Sequence, residues 1–281
     1  MLLTPLTRSY WDREYALDRF MTAHGLSSVS ISYGSVDEAP RRLTRGEPAP
    51  EEQPYYSLSK PLTALAILEA EKQGRLSLDD EVQGATIRQL LKHTGGWDSA
   101  VDSDPVIANE SNVPCTELPV PERQFAPGER YAYSNIGYCI VGQHLGDVHG
   151  TSYEEAARDL LSLSDEIEYR GDLGPAGGWF GSAEPLWNAL KRPVSRETFL
   201  DPEPRAGDIP YGLGWGVAED GTLAHFGWLT TADHFTAAIR KGDYLAVALF
   251  VGVPSDPDQA KAELRPLLLR FAEDGRHRTR R

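Results

Sequence analysis

The spacing of apolar residues changes several times along the chain, and each change predicts a different element. Residues 10–23 carry aromatic and aliphatic side chains among charged ones, which predicts a helix that ends near Gly25. Residues 28–33 alternate apolar and polar side chains, which predicts a strand. This strand is expected to turn at Gly34 and to pair with residues 42–45.

The middle of the chain is dominated by helical spacing. Residues 61–70 (PLTALAILEA) are apolar on nearly every side, which predicts a helix buried all round and ending at Gly74. Further helical patterns, separated by Pro- and Gly-rich loops, cover residues 86–92, 136–148, 153–163 and 183–190. This stretch is therefore predicted to form a helical lobe.

Strand signals return after Pro210 and predict an antiparallel sheet. They cover residues 211–217, 222–228, 234–240 and 244–253, and a helical pattern at 258–272 closes the chain. The late strands need the N-terminal strands as partners, and their short links favour antiparallel pairing. The predicted fold class is α+β. We expect one unit over residues 1–281, with an α/β lobe formed by 1–56 and 205–281 and a helical lobe formed by 57–204.

Composition narrows the classes of function. The chain has 281 residues and a formal net charge of −14, which repels the phosphates of nucleic acids and anionic lipids. No segment is apolar over the roughly 18 residues that a membrane span needs, and the N-terminus lacks the apolar core of a secretory leader. We therefore expect a cytoplasmic protein that acts on a small molecule, without a nucleic-acid partner or a membrane span.

Cysteine and metal-ligand spacings predict neither a disulfide framework nor a cofactor. The two cysteines, Cys115 and Cys139, leave a single bridge open and are not spaced as metal ligands. No zinc-binding His-Glu-x-x-His pattern or paired-cysteine motif occurs, so no metal and no cofactor are predicted. The oligomeric state does not follow from the sequence.

A serine and a lysine lie three residues apart at the start of the buried helix. In Ser57-Leu58-Ser59-Lys60 the side chains of Ser57 and Lys60 fall on one helical turn and can meet. A serine hydroxyl becomes a strong nucleophile when a base takes its proton, and a lysine made neutral by burial is such a base. The alternative is a helix-capping serine followed by a surface lysine.

A second group, Tyr133-Ser134-Asn135, precedes the helical pattern that begins at Ile136. A phenol beside a charged lysine is drawn toward the phenolate, so Tyr133 is predicted to shuttle protons with Lys60. Asn135 is predicted to hold either the substrate carbonyl or Lys60. In the alternative interpretation Asn135 caps the following helix and Tyr133 packs in the core.

A third group, His225-Phe226-Gly227-Trp228, lies on a predicted strand of the returning sheet. A glycine in a strand often marks the close approach of another backbone or a ligand. The amide of Trp228 is predicted to join the amide of Ser57 as an oxyanion hole, and His225 and Gly227 are predicted to line the substrate cleft.

A similar triplet, His93-Thr94-Gly95, is a rival for this third group. It follows a helical pattern and precedes the tyrosine group, so we interpret it as a turn that connects the two lobes. His225 therefore remains the candidate.

Taken together, these motifs resemble those of serine β-lactamases and penicillin-binding proteins, in particular the class C β-lactamase group. They occur in the family's order at residues 57–61, 74–76, 86–95, 127–128, 133–135 and 225–227. The resemblance covers nearly the whole chain and implies an antiparallel sheet with flanking helices beside an all-helical lobe. It also implies that Ser57 is acylated, that Lys60 and Tyr133 move protons, and that Asn135 and the strand carrying Gly227 contact the substrate.

One departure from the family pattern bears on the substrate. Phe226 stands where the family usually has a hydroxyl residue that helps to hold a substrate carboxylate. Neutral esters or amides are therefore expected in preference to penicillins. The predicted function is that of a serine hydrolase working through an acyl-enzyme, with an esterase leading. The alternatives are a DD-peptidase, a β-lactamase, a D-amino-acid amidase or acyltransferase and, from another class, a catalytically inactive binding module.

Overall fold

The computed structural model of the chain is an α+β protein built around a six-stranded sheet. It describes residues 5–48, 50–99, 104–108, 113–193, 205–206, 209–229 and 231–273. In these ranges the helices are α1 (Pro5–His24), α2 (Ser59–Lys72), α3 (Ile87–Leu91), α4 (Asn135–His149), α5 (Tyr153–Leu161), α6 (Gly174–Gly177), α7 (Ala183–Leu190) and α8 (Pro257–Ala272). The strands are β1 (Ser28–Ser35), β2 (Arg41–Gly46), β3 (Gln53–Pro54), β4 (Glu81–Val82), β5 (Ala85–Thr86), β6 (Glu168–Tyr169), β7 (Trp179–Gly181), β8 (Arg205–Ala206), β9 (Ile209–Pro210), β10 (Gly216–Val217), β11 (Leu223–Trp228), β12 (His234–Lys241) and β13 (Tyr244–Val251).

The main sheet joins the two ends of the chain. Its order is β10-β11-β12-β13-β1-β2, and all neighbouring strands are antiparallel. The first strand lies between the last strand and β2, with Ser28 opposite both Val251 and Gly46. The predicted α+β class and the pairing of early with late strands are therefore confirmed.

Both faces of the sheet are covered by helices, which explains the apolar run in β13. Val247 and Leu249 belong to a core cluster with α2, α4 and α7. The alternate residues Ala248 and Phe250 belong to a second cluster with α1 and α8. A strand buried on both faces has no need of polar alternation. Because α7 packs on β1 and β13, it joins the two predicted lobes, whose boundaries at 57 and 205 stay predictions.

Helix α2 is the buried helix that the sequence predicts. Its apolar residues Leu62, Ala66 and Ile67 are fully buried, and it contacts α4, α5, α6 and α7. Three polar residues, Ser59, Lys60 and Thr63, are fully buried with them. Burying an amine or a hydroxyl costs free energy unless it finds hydrogen-bond partners, so the partners of Lys60 indicate its purpose.

Two predicted boundaries are wrong. Gly34 lies inside β1 rather than at the turn, because the strand continues to Ser35. The predicted strand at 211–217 is reduced to Gly216–Val217. Gly214 has φ +80° and its backbone lies against α2, where an added Cβ would be 2.7 Å from Ala64 Cβ, so the chain turns to pack on the helix instead of extending.

Cys115 and Cys139 form a disulfide that ties the 3₁₀ turn Cys115–Glu117 to α4. The sequence left this bridge open. Among the described residues, no helix is both long enough and apolar enough to cross a membrane.

Removing this disulfide is expected to destabilise the protein. The bridge closes a sequence separation of 24 residues, and such a cross-link restricts the unfolded chain, so its loss should lower the free energy of unfolding by about 3 kcal/mol. Urea denaturation of the native protein and of the double variant Cys115→Ala/Cys139→Ala measures the difference. Dithiothreitol should lower the urea midpoint of the native protein and leave that of the variant unchanged. Equal midpoints for the two proteins without dithiothreitol would contradict the prediction.

Candidate active site

Ser57 lies in a 3₁₀ turn, Tyr56–Leu58, immediately before α2. The preceding residue Tyr56 has φ +46°, a left-handed conformation that is costly for a bulky side chain. The buried hydroxyl of Thr236 on β12 donates to the Tyr55 carbonyl across 3.0 Å. The sheet thereby holds the backbone just before Ser57, and strained backbone held in this way is common at functional sites.

Lys60 is fully buried, and its amine contacts three oxygen atoms. Nζ lies 3.2 Å from Ser57 Oγ, 2.7 Å from Asn135 Oδ1 and 2.8 Å from the Ala176 carbonyl oxygen. The first contact spans one turn, as the sequence predicts, while α4 and α6 supply the other two. The alternative of a surface lysine is therefore wrong.

Burial also sets the protonation of Lys60. Removal from water disfavours the ammonium form and lowers the pKa of Lys60 to about 7, although the Asp104 carboxylate acts in the opposite direction. A neutral amine has two N–H donors and one lone pair. Because Asn135 Oδ1 and the Ala176 carbonyl accept the two donors, the lone pair faces the hydroxyl of Ser57. This arrangement suits a general base.

Tyr133 contacts the same hydroxyl. Its OH donates to Ser57 Oγ across 2.8 Å, and its ring centre lies 4.8 Å from Lys60 Nζ. Burial raises the pKa of Tyr133 well above its ordinary value and outweighs the hydrogen bond with Ser57, which acts to lower it. The predicted drift toward the phenolate is therefore wrong, because desolvation dominates. Tyr133 is a neutral phenol that can give a proton to Ser57 Oγ.

Asn135 directs its side chain toward Lys60. The capping residue of α4 is Ser134, whose side chain accepts a hydrogen bond from Gly137 N, so the predicted alternative of an Asn135 cap is wrong. Asn135 Oδ1 accepts from Lys60, and Asn135 Nδ2 donates to Oδ2 of the buried residue Asp104. Of the two predicted contacts for Asn135, the structure contains the one with Lys60.

Two contributors to this site were missed by the sequence analysis. Asp104 lies in the short described segment 104–108, where the Asp104-Pro105 pair signals a turn but not a contact with Asn135. Ala176 acts through its main-chain carbonyl, which every residue type has. The folded arrangement of α2, α4 and α6 brings Asn135 and the Ala176 carbonyl to the amine of Lys60, and Asp104 contacts Asn135.

Gly227 on β11 lies directly against the turn that carries Ser57. A Cβ at this position would be 2.8 Å from Ser57 N, 2.9 Å from the Tyr55 carbonyl oxygen and 2.7 Å from Thr236 Oγ1. Two of these neighbours are backbone atoms with little room to move, so a side chain does not fit. The close backbone approach that the sequence predicts at Gly227 is present.

The pairing of β11 sets the direction of the Trp228 amide. Ala218 N donates to Thr222 O, so alternate residues from Thr222 onward direct their N–H and C=O groups toward the β10 side. The β10 ladder reaches Ala224, and beyond it this edge of β11 borders the cleft. The Trp228 N–H therefore faces the open edge. Its predicted partnership with Ser57 N as an oxyanion hole stays a prediction.

Two buried histidines lie near the reactive groups. Burial, followed by the charge of Lys60, lowers the pKa of His225 well below its ordinary value, and His225 Nδ1 lies 3.2 Å from Tyr211 OH. The same causes lower the pKa of His93, whose ring centre is 4.3 Å from that of Tyr133. Both rings are therefore neutral at pH 7. His93 does lie in a turn, as interpreted, but it also packs against Tyr133, which the sequence did not predict.

These groups border a cleft of about 1020 Å³. Five predicted residues line it, namely Ser57, Tyr133, Asn135, His225 and Trp228, while Lys60 is buried next to it. Much of the remaining wall is apolar and includes Val106, Ile107, Leu173 and Phe226. Across the described ranges, no cluster of three or more His, Cys, Asp or Glu side chains is suited to a metal ion.

Comparison with known proteins shows what part of the chain resembles. The family model described as "Beta-lactamase" matches residues 52–164. The matched stretch is less than half of the chain and is similar to β-lactamases and to a penicillin-binding protein. The first two residue groups, at 57–60 and 133–135, lie within the matched stretch, whereas the group at 225–228 lies outside it.

Two curated relatives and two solved structures illustrate the likeness. The chain is 36% identical over 123 residues to penicillin-binding protein 4* of Bacillus subtilis, covering 38% of this chain and 27% of that protein. It is 28% identical over 137 residues to the probable fimbrial assembly protein FimD of Dichelobacter nodosus, covering 42% and 35%. It thus spans about a third of the length of the curated relatives it matches.

The structural likeness extends over most of the chain. The D-amino acid amidase of Ochrobactrum anthropi matches with a TM-score of 0.72 at 16% identity, over 92% of this chain and 98% of that one. A β-lactamase/D-alanine carboxypeptidase of Yersinia pestis matches with a TM-score of 0.72 at 15% identity, over the same shares. At such identities the likeness shows the fold.

Proposed function

We propose that this protein is a serine hydrolase that cleaves ester or amide bonds through an acyl-enzyme, with neutral esters as its preferred substrates. The observation that carries the proposal is the position of Ser57 Oγ, 3.2 Å from Lys60 Nζ and 2.8 Å from Tyr133 OH beside an open cleft. A nucleophile in contact with its base and with a proton donor is the minimum set for acyl transfer.

In the first half-reaction Lys60 takes the hydroxyl proton while Ser57 Oγ bonds to the substrate carbonyl carbon. Negative charge that develops on the carbonyl oxygen is stabilised by the N–H groups of Ser57 and Trp228. Tyr133 OH then gives a proton to the leaving oxygen or nitrogen, and Lys60, now an ammonium, supplies the proton that restores the phenol. Water then attacks the ester on Ser57, and the same groups move protons in the reverse sense.

The cleft wall supports neutral acyl groups. Leu173, Phe226 and Trp228 supply apolar surface to the cleft that Ser57 also lines, and Phe226 brings no hydroxyl to a substrate carboxylate. The fold neighbours include a D-amino acid amidase and a β-lactamase/D-alanine carboxypeptidase, so amides and D-alanyl peptides are the competing substrates to be tested.

Intact-protein mass spectrometry after incubation with three probes tests the proposal. The probes are a fluorophosphonate, p-nitrophenyl butyrate and benzylpenicillin. Adducts from the fluorophosphonate and the butyrate on Ser57, without one from penicillin, support the esterase. A penicillin adduct alone favours the lactamase or DD-peptidase alternatives, and no adduct from any probe contradicts the proposal and favours a binding module.

The pH dependence of kcat/KM should follow the ionisation of Lys60. The kcat/KM for p-nitrophenyl butyrate should rise as the pH passes through about 7, because only the neutral form of Lys60 can accept the serine proton. The titratable groups that face Lys60 are Tyr133, Tyr138, His93, His225 and Asp104. The two histidines are neutral throughout this range, because their pKa values lie well below it. A rate that is flat from about pH 6 to 8 would contradict the assignment of Lys60 as the base.

We infer that the protein works in an oxidising compartment, because the Cys115–Cys139 disulfide is of a kind that reducing cytosol rarely preserves. The cytoplasmic location predicted from the sequence remains the competing hypothesis. Thiol alkylation in intact cells, read by mass spectrometry, separates the two. Unmodified, bridged cysteines support the inference, and two alkylated cysteines contradict it.

A further inference from the structure

We propose that Asp104 is a positioning residue that fixes the orientation of the Asn135 side chain and thereby keeps the Lys60 lone pair directed at Ser57. The consequence for catalysis rests on the proposed hydrolase function. The positioning itself rests on three contacts: Asp104 with Asn135, Asn135 with Lys60 and Lys60 with Ser57.

The amide of Asn135 has two ends of nearly the same shape and opposite chemistry. Oδ1 accepts hydrogen bonds and Nδ2 donates them. With Oδ1 toward Lys60, the amine donates an N–H and keeps its lone pair for Ser57. If the amide were rotated by half a turn, Nδ2 would donate to that lone pair and withdraw it from the serine proton.

A carboxylate beside Asn135 fixes the orientation of its amide, because a carboxylate only accepts hydrogen bonds. Asp104 Oδ2 accepts from Asn135 Nδ2, which requires Oδ1 to face Lys60. A serine, an asparagine or a water at this place could either donate or accept and would leave both orientations open.

Asp104 is itself held firmly. Its side chain is buried in the cleft wall, and its Oδ1 accepts from Val106 N across 3.0 Å. Its main-chain oxygen accepts from Ala108 N across 2.8 Å. One carboxylate oxygen thus anchors the residue while the other holds Asn135.

The charge of Asp104 adds a second effect. When Lys60 takes the serine proton, a cation forms in a fully buried position, where it lacks water. The carboxylate beyond Asn135 offsets part of this cost, because opposite charges attract strongly where solvent is excluded. Asp104 therefore supports both the alignment of the base and the charge that the base acquires.

Two variants separate these effects, and a third serves as a control. Asp104→Asn keeps the shape but removes the charge and allows either amide orientation. Asp104→Ala also removes the acceptor. Asp98→Asn is the matched control, because it removes the same charge from a carboxylate that pairs with Arg130. Each protein is assayed for kcat and KM across pH. The Lys60 amine is titrated by NMR in substrate-free protein carrying ¹³C-lysine. The Lys60 signal is assigned as the one that is missing from the Lys60→Arg variant.

We expect Asp104→Ala to lower kcat by about 100-fold with a smaller change in KM, because the base is no longer aligned. In both Asp104 variants the Lys60 titration and the acid limb of kcat/KM should move to lower pH by about one unit, since a neighbouring negative charge is lost. Asp98→Asn should show neither change.

The results can distinguish failure of the Asp104 positioning role from failure of the proposed hydrolase function. If Asp104→Asn and Asp104→Ala keep kcat within about threefold and leave the Lys60 titration in place, the positioning role is overturned, even when the enzyme is active. If Asp104→Ala does not fold, Asp104→Asn alone decides on the same two readouts. If the wild-type protein hydrolyses none of the probes, the proposed function fails, while the shift of the Lys60 titration still tests the contact.

Discussion

The variant Ser57→Ala is expected to lose hydrolysis by about 10⁴-fold or more in kcat/KM and to form no adduct with a fluorophosphonate. The hydroxyl at position 57 is the group that joins Lys60 to Tyr133, at 3.2 Å and 2.8 Å. Without it no covalent intermediate can form, and what remains is the weak rate enhancement that binding and the oxyanion donors give. Steady-state assays with p-nitrophenyl butyrate and intact mass spectrometry measure the two losses.

The neighbouring serine provides a matched control. Ser59 lies in the same motif, yet it is fully buried and its Oγ accepts from Trp179 N across 3.2 Å. Ser59→Ala should cost about 1–3 kcal/mol of stability by leaving that N–H unpaired, and it should keep the adduct on Ser57. A fluorophosphonate adduct that persists in Ser57→Ala, or disappears only in Ser59→Ala, would show that the wrong hydroxyl has been assigned.

Much of the fold could be predicted because its elements have strong local patterns. The apolar run at 61–70 lies within α2 (Ser59–Lys72), and the alternation at 28–33 lies within β1 (Ser28–Ser35). Boundaries failed where backbone packing decided them. At Gly214 the chain leaves the predicted strand because its backbone approaches α2 closely, a contact between distant segments that no local spacing records.

In the candidate site, too, local features could be predicted and contacts between distant segments could not. Ser57 and Lys60 could be predicted because one helical turn connects them. The contact of Asp104 with Asn135 and that of Ala176 with Lys60 could not, since Asp104 comes from an irregular segment and Ala176 acts through a main-chain oxygen. The protonation of Tyr133 was predicted in the wrong direction, because a sequence indicates a nearby charge but not the depth of burial that outweighs it.

The depth of burial also makes Lys60 the most demanding group to replace, and Lys60→Ala should lower kcat by about 10³-fold. The substitution removes the amine whose lone pair takes the proton of Ser57. It also opens a cavity lined by Asn135 Oδ1 and the Ala176 carbonyl, the two acceptors that hold the native amine. A small primary amine can enter this cavity and donate to both.

Chemical rescue therefore tests whether Lys60 is the base or a structural cation. Propylamine, which reproduces the missing chain, should restore part of the activity of Lys60→Ala in proportion to its concentration of neutral amine. Tetramethylammonium, which has a charge but neither N–H donors nor a lone pair, should restore none. Recovery with both compounds would indicate that position 60 needs only a positive charge. Lys60→Ala activity within about tenfold of the native value would remove the lysine from the mechanism, because general bases contribute more than that.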